Sequence, residues 1–283
     1  MVTALSRRGI GFETRVLYHS QSRFCINIFM RYSDLFEDFK SDVKYNTVMQ
    51  YIAEKAQDFF ANNQHKVDSF IKRNRFQYKN VDTLHFDAKQ LGIDDAFEDL
   101  RIVLAEKLVN HVAEFDTATM ANGERRHIIT MFVADASIED PKEKFIAAMK
   151  TMTEPRSKTI MVHEMTHYFQ AIRGIPMTPP RKPGREGYLN DPKEFDAFYH
   201  QMTQEYHTLL SAFDDDRQYA IELLKQHGFT RDFRLFFTQF VATMQNKDLG
   251  EFDMITKSLP RQKKRLISRL YSLHQEILKK INS

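Results

Sequence analysis

Residues 160–170 read Ile-Met-Val-His-Glu-Met-Thr-His-Tyr-Phe-Gln, and the two histidines four positions apart constrain this chain more than any other feature. On a helix, positions i and i+4 stand one above the other, so His163 and His167 share a face. Helix signals bracket the segment. Glu154-Pro155 suits a helix start, because proline fits the first helical position, while Gly174 followed by Pro176 is a stop. Val162, Met165, Phe169 and Ile172 form an apolar stripe on one side. A fold for this chain must bury that stripe and find a use, or at least hydrogen bonds, for the two imidazoles beside it.

His163-Glu164-Met165-Thr166-His167 is an H-E-x-x-H sequence. Two neutral imidazoles converging on one point are what zinc takes from a helix. Glu164 is rotated away from that point, so it reaches a water at the metal rather than the metal itself, as a general base does. The competing reading is a buried helix whose two histidines are merely hydrogen-bonded.

Catalytic zinc usually takes three protein ligands. No histidine follows His167 within a dozen residues, and Gly174 stands seven places beyond it, which excludes the long H-E-x-x-H-x-x-G-x-x-H form. Glu194, in Asn-Asp-Pro-Lys-Glu-Phe-Asp-Ala, is the candidate third ligand, with Asp196, His200 and Glu186 as rivals. Asp-Pro-Lys-Glu occurs twice, at 140–143 and 191–194, and both glutamates sit where a capping box would place them. Only the second copy follows the motif. Small Ala197, one turn on, permits close approach of the two helices.

These residues resemble the zincin metallopeptidases, in the gluzincin arrangement. Tyr188-Leu-Asn-Asp-Pro-Lys-Glu-Phe-Asp-Ala197 is similar to the Tyr…Pro-x-Glu-x-x-Ala stretch of small phage and bacterial members. The resemblance covers about 40 residues around the motif. It implies His163, His167 and Glu194 as zinc ligands, Glu164 as general base, a protein or peptide substrate, and a strand near the motif helix to which that substrate adds. Arg125 to Val133 is the expected strand. Tyr188 and His200 are candidates for donating to an oxyanion. Where the thermolysin-like subgroup places an Asp four residues after its Glu, this chain has Phe198, so the partner of a zinc histidine is unassigned. Two further readings stand beside the peptidase: a cell-wall peptide hydrolase on the same chemistry, and a non-catalytic assembly protein with an inactive site.

The rest of the chain predicts an α+β fold, mostly helical, with a zincin-like core in which a small mixed sheet packs on the motif helix. Leu35, Phe36, Phe39 and Val43, then Val48, Tyr51, Ile52, Ala56 and Phe59, recur at helical spacing over 33–74. Residues 80–88 alternate like a strand, 97–112 read as a helix, and Asn122-Gly123 marks a turn into the 125–135 strand. Residues 175–190, rich in proline, read as a loop. Helices follow from Asp191-Pro192 to about Leu210 and on to a long one over Pro260 to Ile281. Four regions result: a basic extension over 1–29, a helical region over 30–120, a catalytic core over 121–212 and a helical region over 213–283.

Composition narrows the function classes. The single cysteine, Cys25, excludes an internal disulfide and a Cys-based zinc site, and fits a reducing, cytoplasmic setting. No apolar run is long enough to cross a bilayer. The net charge of +3 comes from Arg7, Arg8, Arg15 and Arg23 against Glu13, leaving residues 30–283 neutral. Residues 1–29 carry no secretory signal pattern, and Met30, which opens a helical start, is an expected initiator. Arg261-Gln262-Lys263-Lys264-Arg265 raises nucleic-acid binding, but Leu266, Leu270, Leu273, Ile277 and Ile281 make that helix amphipathic with a charged outer face, so no nucleic acid is expected. Asp214-Asp215-Asp216 reads as a helix N-terminus rather than a calcium loop.

Overall fold

A computed structural model describes residues 42–77, 83–108, 112–176, 184–214, 216–246 and 250–283, all within one compact unit. The expected extension over 1–29, Met30, and Leu35, Phe36 and Phe39 lie outside the described residues.

The fold is α+β and mostly helical, with one mixed sheet of four strands in the order β1-β2-β4-β3. The strands are β1 (Thr83–Asp87), β2 (Leu100–Glu106), β3 (Ala113–Thr119) and β4 (Arg125–Ala134). β1 runs antiparallel to β2, β2 parallel to β4, and β3 antiparallel to β4. Two expectations need correction here. The described part of the 97–112 segment is not a helix: a short 3-10 turn at Asp95–Phe97 leads into β2. Leu100 and Ile102 to Ala105 are buried, and such a near-continuous apolar run is what an interior strand with both faces covered requires. Helix and interior strand look alike in so short a stretch.

The second correction concerns the edge. Arg125–Ala134 is a strand, but an interior one, hydrogen-bonded on one side to β2 and on the other to β3. Among the described residues β3 is the outermost strand on this side. It is joined to β4 by a tight turn in which Met120 N–H donates to Glu124 O, and Gly123 takes a left-handed φ of +83° that a side chain would disfavour. His127, Ile129, Met131 and Val133, alternate residues of β4, are buried, giving that strand one buried face.

The helices are α1 (Asp42–Asn63), α2 (Val67–Gln77), the single turn α3 (Ala88–Leu91), α4 (Pro141–Met152), α5 (Pro155–Ile172), α6 (Gly184–Asn190), α7 (Pro192–Ala212), α8 (Arg217–Gln226), α9 (Phe233–Asn246), α10 (Gly250–Ser258) and α11 (Pro260–Asn282). The expected helix over 33–74 is interrupted at Gln64–Lys66, separating α1 from α2. Asp140 and Asp191 cap α4 and α7, each accepting from the backbone N–H two residues on, and each proline falls at the first helical position. α5 carries the motif and ends as expected, with Gly174 at φ +74° and Ile175 N–H returning to Gln170 O. The proline-rich segment is not all loop, since its second half is α6.

The expected boundaries at 120/121 and 212/213 do not separate independent regions. The first cuts the β3–β4 hairpin, and the region over 30–120, expected to be helical apart from a strand near 80–88, supplies three strands, of which β1 is the expected one. The second cuts a shared core: Phe195, Tyr199, Met202 and Tyr206 of α7 pack in one apolar cluster with Phe236 and Phe240 of α9 and Leu266, Leu270 and Ile277 of α11. α7 therefore serves two layers at once. Its other side meets α1 and α5. Among the described residues, no helix is long and apolar enough to cross a membrane.

Candidate metal centre

α5 is buried along most of its length, and His163, Glu164 and His167 are each less than a tenth exposed. α7 crosses it closely, with Ala197 fully buried, and its first turn carries Glu194 to the two histidines. Glu194 Oε2 lies 3.2 Å from His167 Nε2 and 3.6 Å from His163 Nε2. One donor atom from each of the three residues falls within 4.8 Å of the other two. The imidazole rings stand 5.1 Å apart at 79°, so neither blocks the other. Asp191 alone satisfies the capping bond to Lys193 N–H, which leaves Glu194 available to the histidines.

The hydrogen bonds behind the rings decide what the front offers. Gln170 Nε2 donates to Lys193 O at 3.2 Å, so its Oε1 is the atom 3.0 Å from His167 Nδ1. An amide oxygen only accepts, so Nδ1 carries a proton and Nε2 is the atom presented to Glu194. Gln201 Oε1 stands 3.2 Å from His163 Nδ1 and imposes the same arrangement. Both imidazoles are thus oriented from behind, which is the device by which metal-binding histidines are fixed.

The electrostatics favour a positive charge at the point of convergence. Burial disfavours ionised Glu194, but the two imidazoles and the Tyr188 hydroxyl outweigh it and hold the carboxyl well below the usual range. Burial alone would depress His167, yet Glu194 and Glu164 raise it. Glu194 Oε2 is fully enclosed, with the His167 and His163 Nε2 atoms facing it at 3.2 and 3.6 Å. An oxygen so enclosed needs a proton or a metal cation between it and those nitrogens. Two imidazole nitrogens and one carboxylate oxygen are a donor set that zinc accepts, so the residues present fit such an ion.

Glu164 is raised above the ordinary carboxylate range, chiefly by burial; His163 and His167 oppose the shift, while Glu194 and Glu114 add to it. That is the direction in which a carboxylate becomes a better proton acceptor.

The other sequence candidates go elsewhere. Asp196 pairs with Arg265 and Arg269. Glu186 is exposed on α6. His200, expected as a rival ligand or oxyanion donor, accepts from Asn46 Nδ2 of α1 at 2.6 Å and is not part of the cluster. Tyr188 does reach the cluster, on α6 rather than a loop, but through the carboxylate of Glu194. Phe198 packs edge-on to His163, with ring centroids 4.6 Å apart.

Some neighbours carried no singled-out signal in the sequence. Gln170 lies one turn after His167 and Gln201 two turns after Glu194, spacings that mark both as same-face neighbours. Phe115 of β3 lies 6.5 Å from His167 and stacks on His127 at 5.8 Å. Tyr168, next to His167, donates to Asp99 Oδ1 at 2.8 Å, and Asp99 also faces His127 Nε2 at 3.5 Å. This chain of contacts ties the motif helix to β4, and Phe115 brings in the outer strand.

No family model matches the chain, and no curated protein or solved structure matches it either.

Proposed function

We propose that this protein is a zinc-dependent metallopeptidase of gluzincin type. The observation that carries the reading is the convergence of His163 Nε2, His167 Nε2 and a Glu194 oxygen on one buried point, with both Nδ1 atoms engaged behind. His163, His167 and Glu194 would hold the ion. When bound, zinc supplies a Lewis acid for the scissile carbonyl and lowers the pKa of a water molecule toward neutrality. Glu164 takes that water's proton on its carboxylate and returns it to the leaving amine. Its raised pKa suits both halves of the task, because a normal carboxylate would be too weak a base.

The zincin-like core is part of the same proposal. Its support is a motif helix packed beside a sheet whose outermost strand is antiparallel to its neighbour. A peptide substrate adds to β3 by main-chain hydrogen bonds, in place of the β4 edge expected from sequence. Phe115 and Phe198 place apolar surface on two sides of the histidines.

Metal analysis and one substitution test the reading. The purified protein should carry about one zinc per chain, and His163→Ala should lose it. Glu164→Gln should keep the metal and lose hydrolysis across a peptide library. Zinc retained by His163→Ala at the parent's level refutes the ligand set.

A further inference from the structure

Glu194 sits in the first turn of α7, where helices fray and backbone position is least fixed. A metal ligand must hold its place to about half an ångström. The cap at Asp191, the hydroxyl of Tyr188 and the Gln170 bond to Lys193 O act on the start of α7. A further set of contacts reaches the same segment from α11.

Arg269 Nη1 donates to Asp196 Oδ1 at 2.6 Å, and Arg265 Nη2 donates to the same oxygen at 2.9 Å. The Arg269 guanidinium lies 3.7 Å from the ring centroid of Tyr199, and that of Arg265 lies 4.5 Å from Phe195. From the same helix, Gln262 Nε2 donates to Asn190 O just ahead of the cap, at 3.3 Å. Every one of these contacts comes from the first three turns of α11 and lands on residues 190–199. Exposed ion pairs between helices contribute little to stability, and Asp196 is about a third exposed. α11 is anchored in any case by buried Leu266, Leu270, Leu273 and Ile277. Two guanidinium groups donating to one carboxylate oxygen, each lying over a buried ring, constrain orientation more than they add bulk stability.

We propose that α11 is a positioning element of the metal centre, with Arg265 and Arg269 acting through Asp196 to set Glu194 against the histidines. The inference rests on the zinc reading above, and its test separates the two.

The experiment adds Zn2+ or Co2+ to the metal-free full chain and compares the parent with Arg265→Met/Arg269→Met. Methionine keeps the apolar stem and removes the fork. The double variant should bind zinc about tenfold to a hundredfold more weakly, and its visible Co2+ spectrum should move toward that of Glu194→Gln. A purely structural role would lower the melting temperature but leave that spectrum unchanged. Lys263→Met/Lys264→Met, which removes the same charge from exposed positions of α11, should bind like the parent. If the double arginine variant does not fold, Asp196→Asn carries the same measurement, with a smaller loss in the same direction. Parent-like affinity and spectrum in a folded variant overturn the inference while leaving the zinc reading intact. A parent that takes up neither ion overturns both.

Discussion

Replacing Gln170 by Met tests whether the hydrogen bonds behind the imidazoles matter to metal binding. The side chain is buried, accepts from His167 Nδ1 at 3.0 Å, and donates to Lys193 O at 3.2 Å, one residue before Glu194. Methionine fills a similar volume and does neither. Leaving the His167 Nδ1–H buried and unpaired costs about 1–3 kcal/mol. Much of that cost falls equally on metal-free and metal-loaded protein and cancels from the affinity. What does not cancel is orientation: the ring is free to turn and to carry its proton on Nε2, the atom the ion needs, and Lys193 loses its tie to α5. Loss of such a partner weakens metal binding about tenfold to a hundredfold, or about 1.4–2.7 kcal/mol. Competition against a chromophoric chelator measures the zinc Kd, and urea unfolding of the metal-free form measures the shared part. Gln170→Glu should not rescue, because its second oxygen faces the Lys193 carbonyl with no proton to offer. A Kd within about twofold of the parent's, alongside a clear loss of metal-free stability, would refute the orienting role.

Zinc at about a thousand times its Kd should stabilise the parent by about 4 kcal/mol, read as a rise in melting temperature that a chelator reverses and that Glu194→Gln lacks. Phe240→Ala empties a fully buried site in the cluster shared by α7, α9 and α11, and should cost about 3–5 kcal/mol in urea unfolding. Gly123→Ala, at φ +83°, should destabilise the hairpin by about 1 kcal/mol, with Gly123→Asn milder. Burial holds His85 below the ordinary histidine range, so protonation favours the unfolded chain. Its contribution is complete above the unfolded value of about 6.5 and is lost as pH falls through the lower folded value. The urea midpoint should therefore drop less between about pH 7 and pH 5 in His85→Asn than in the parent.

Much of the local architecture was legible because it depends on neighbours in sequence. Asp140-Pro141, Asp191-Pro192 and Gly174 mark helix ends through their own backbone chemistry, and the structure places helix ends there. The pairing of His163 with His167 needs only helical periodicity. Glu194 was reachable as a candidate because a rigid α7 follows the motif, but nothing in its own neighbourhood separated it from Asp196; the arginines that occupy Asp196 lie about 70 residues on. The sheet was harder. β2 reads as a helix because both of its faces are covered, which erases alternation. β3 was not anticipated at all, since Ala-Glu-Phe-Asp-Thr-Ala-Thr lacks an apolar run and becomes a strand by pairing with β4. Which strand lies outermost is a property of the whole sheet, and no local pattern carries it.

The outermost position of β3 has a further consequence. An open strand rim is a template for any extended segment, including the same rim of another copy of the protein. Glu114 and Asp116 line it as exposed, like-charged neighbours, and two such rims brought face to face would set carboxylates against carboxylates, which disfavours the pairing. Like charges on the rim thus work against self-pairing, and on the peptidase reading proposed above they would favour neutral or basic segments over acidic ones.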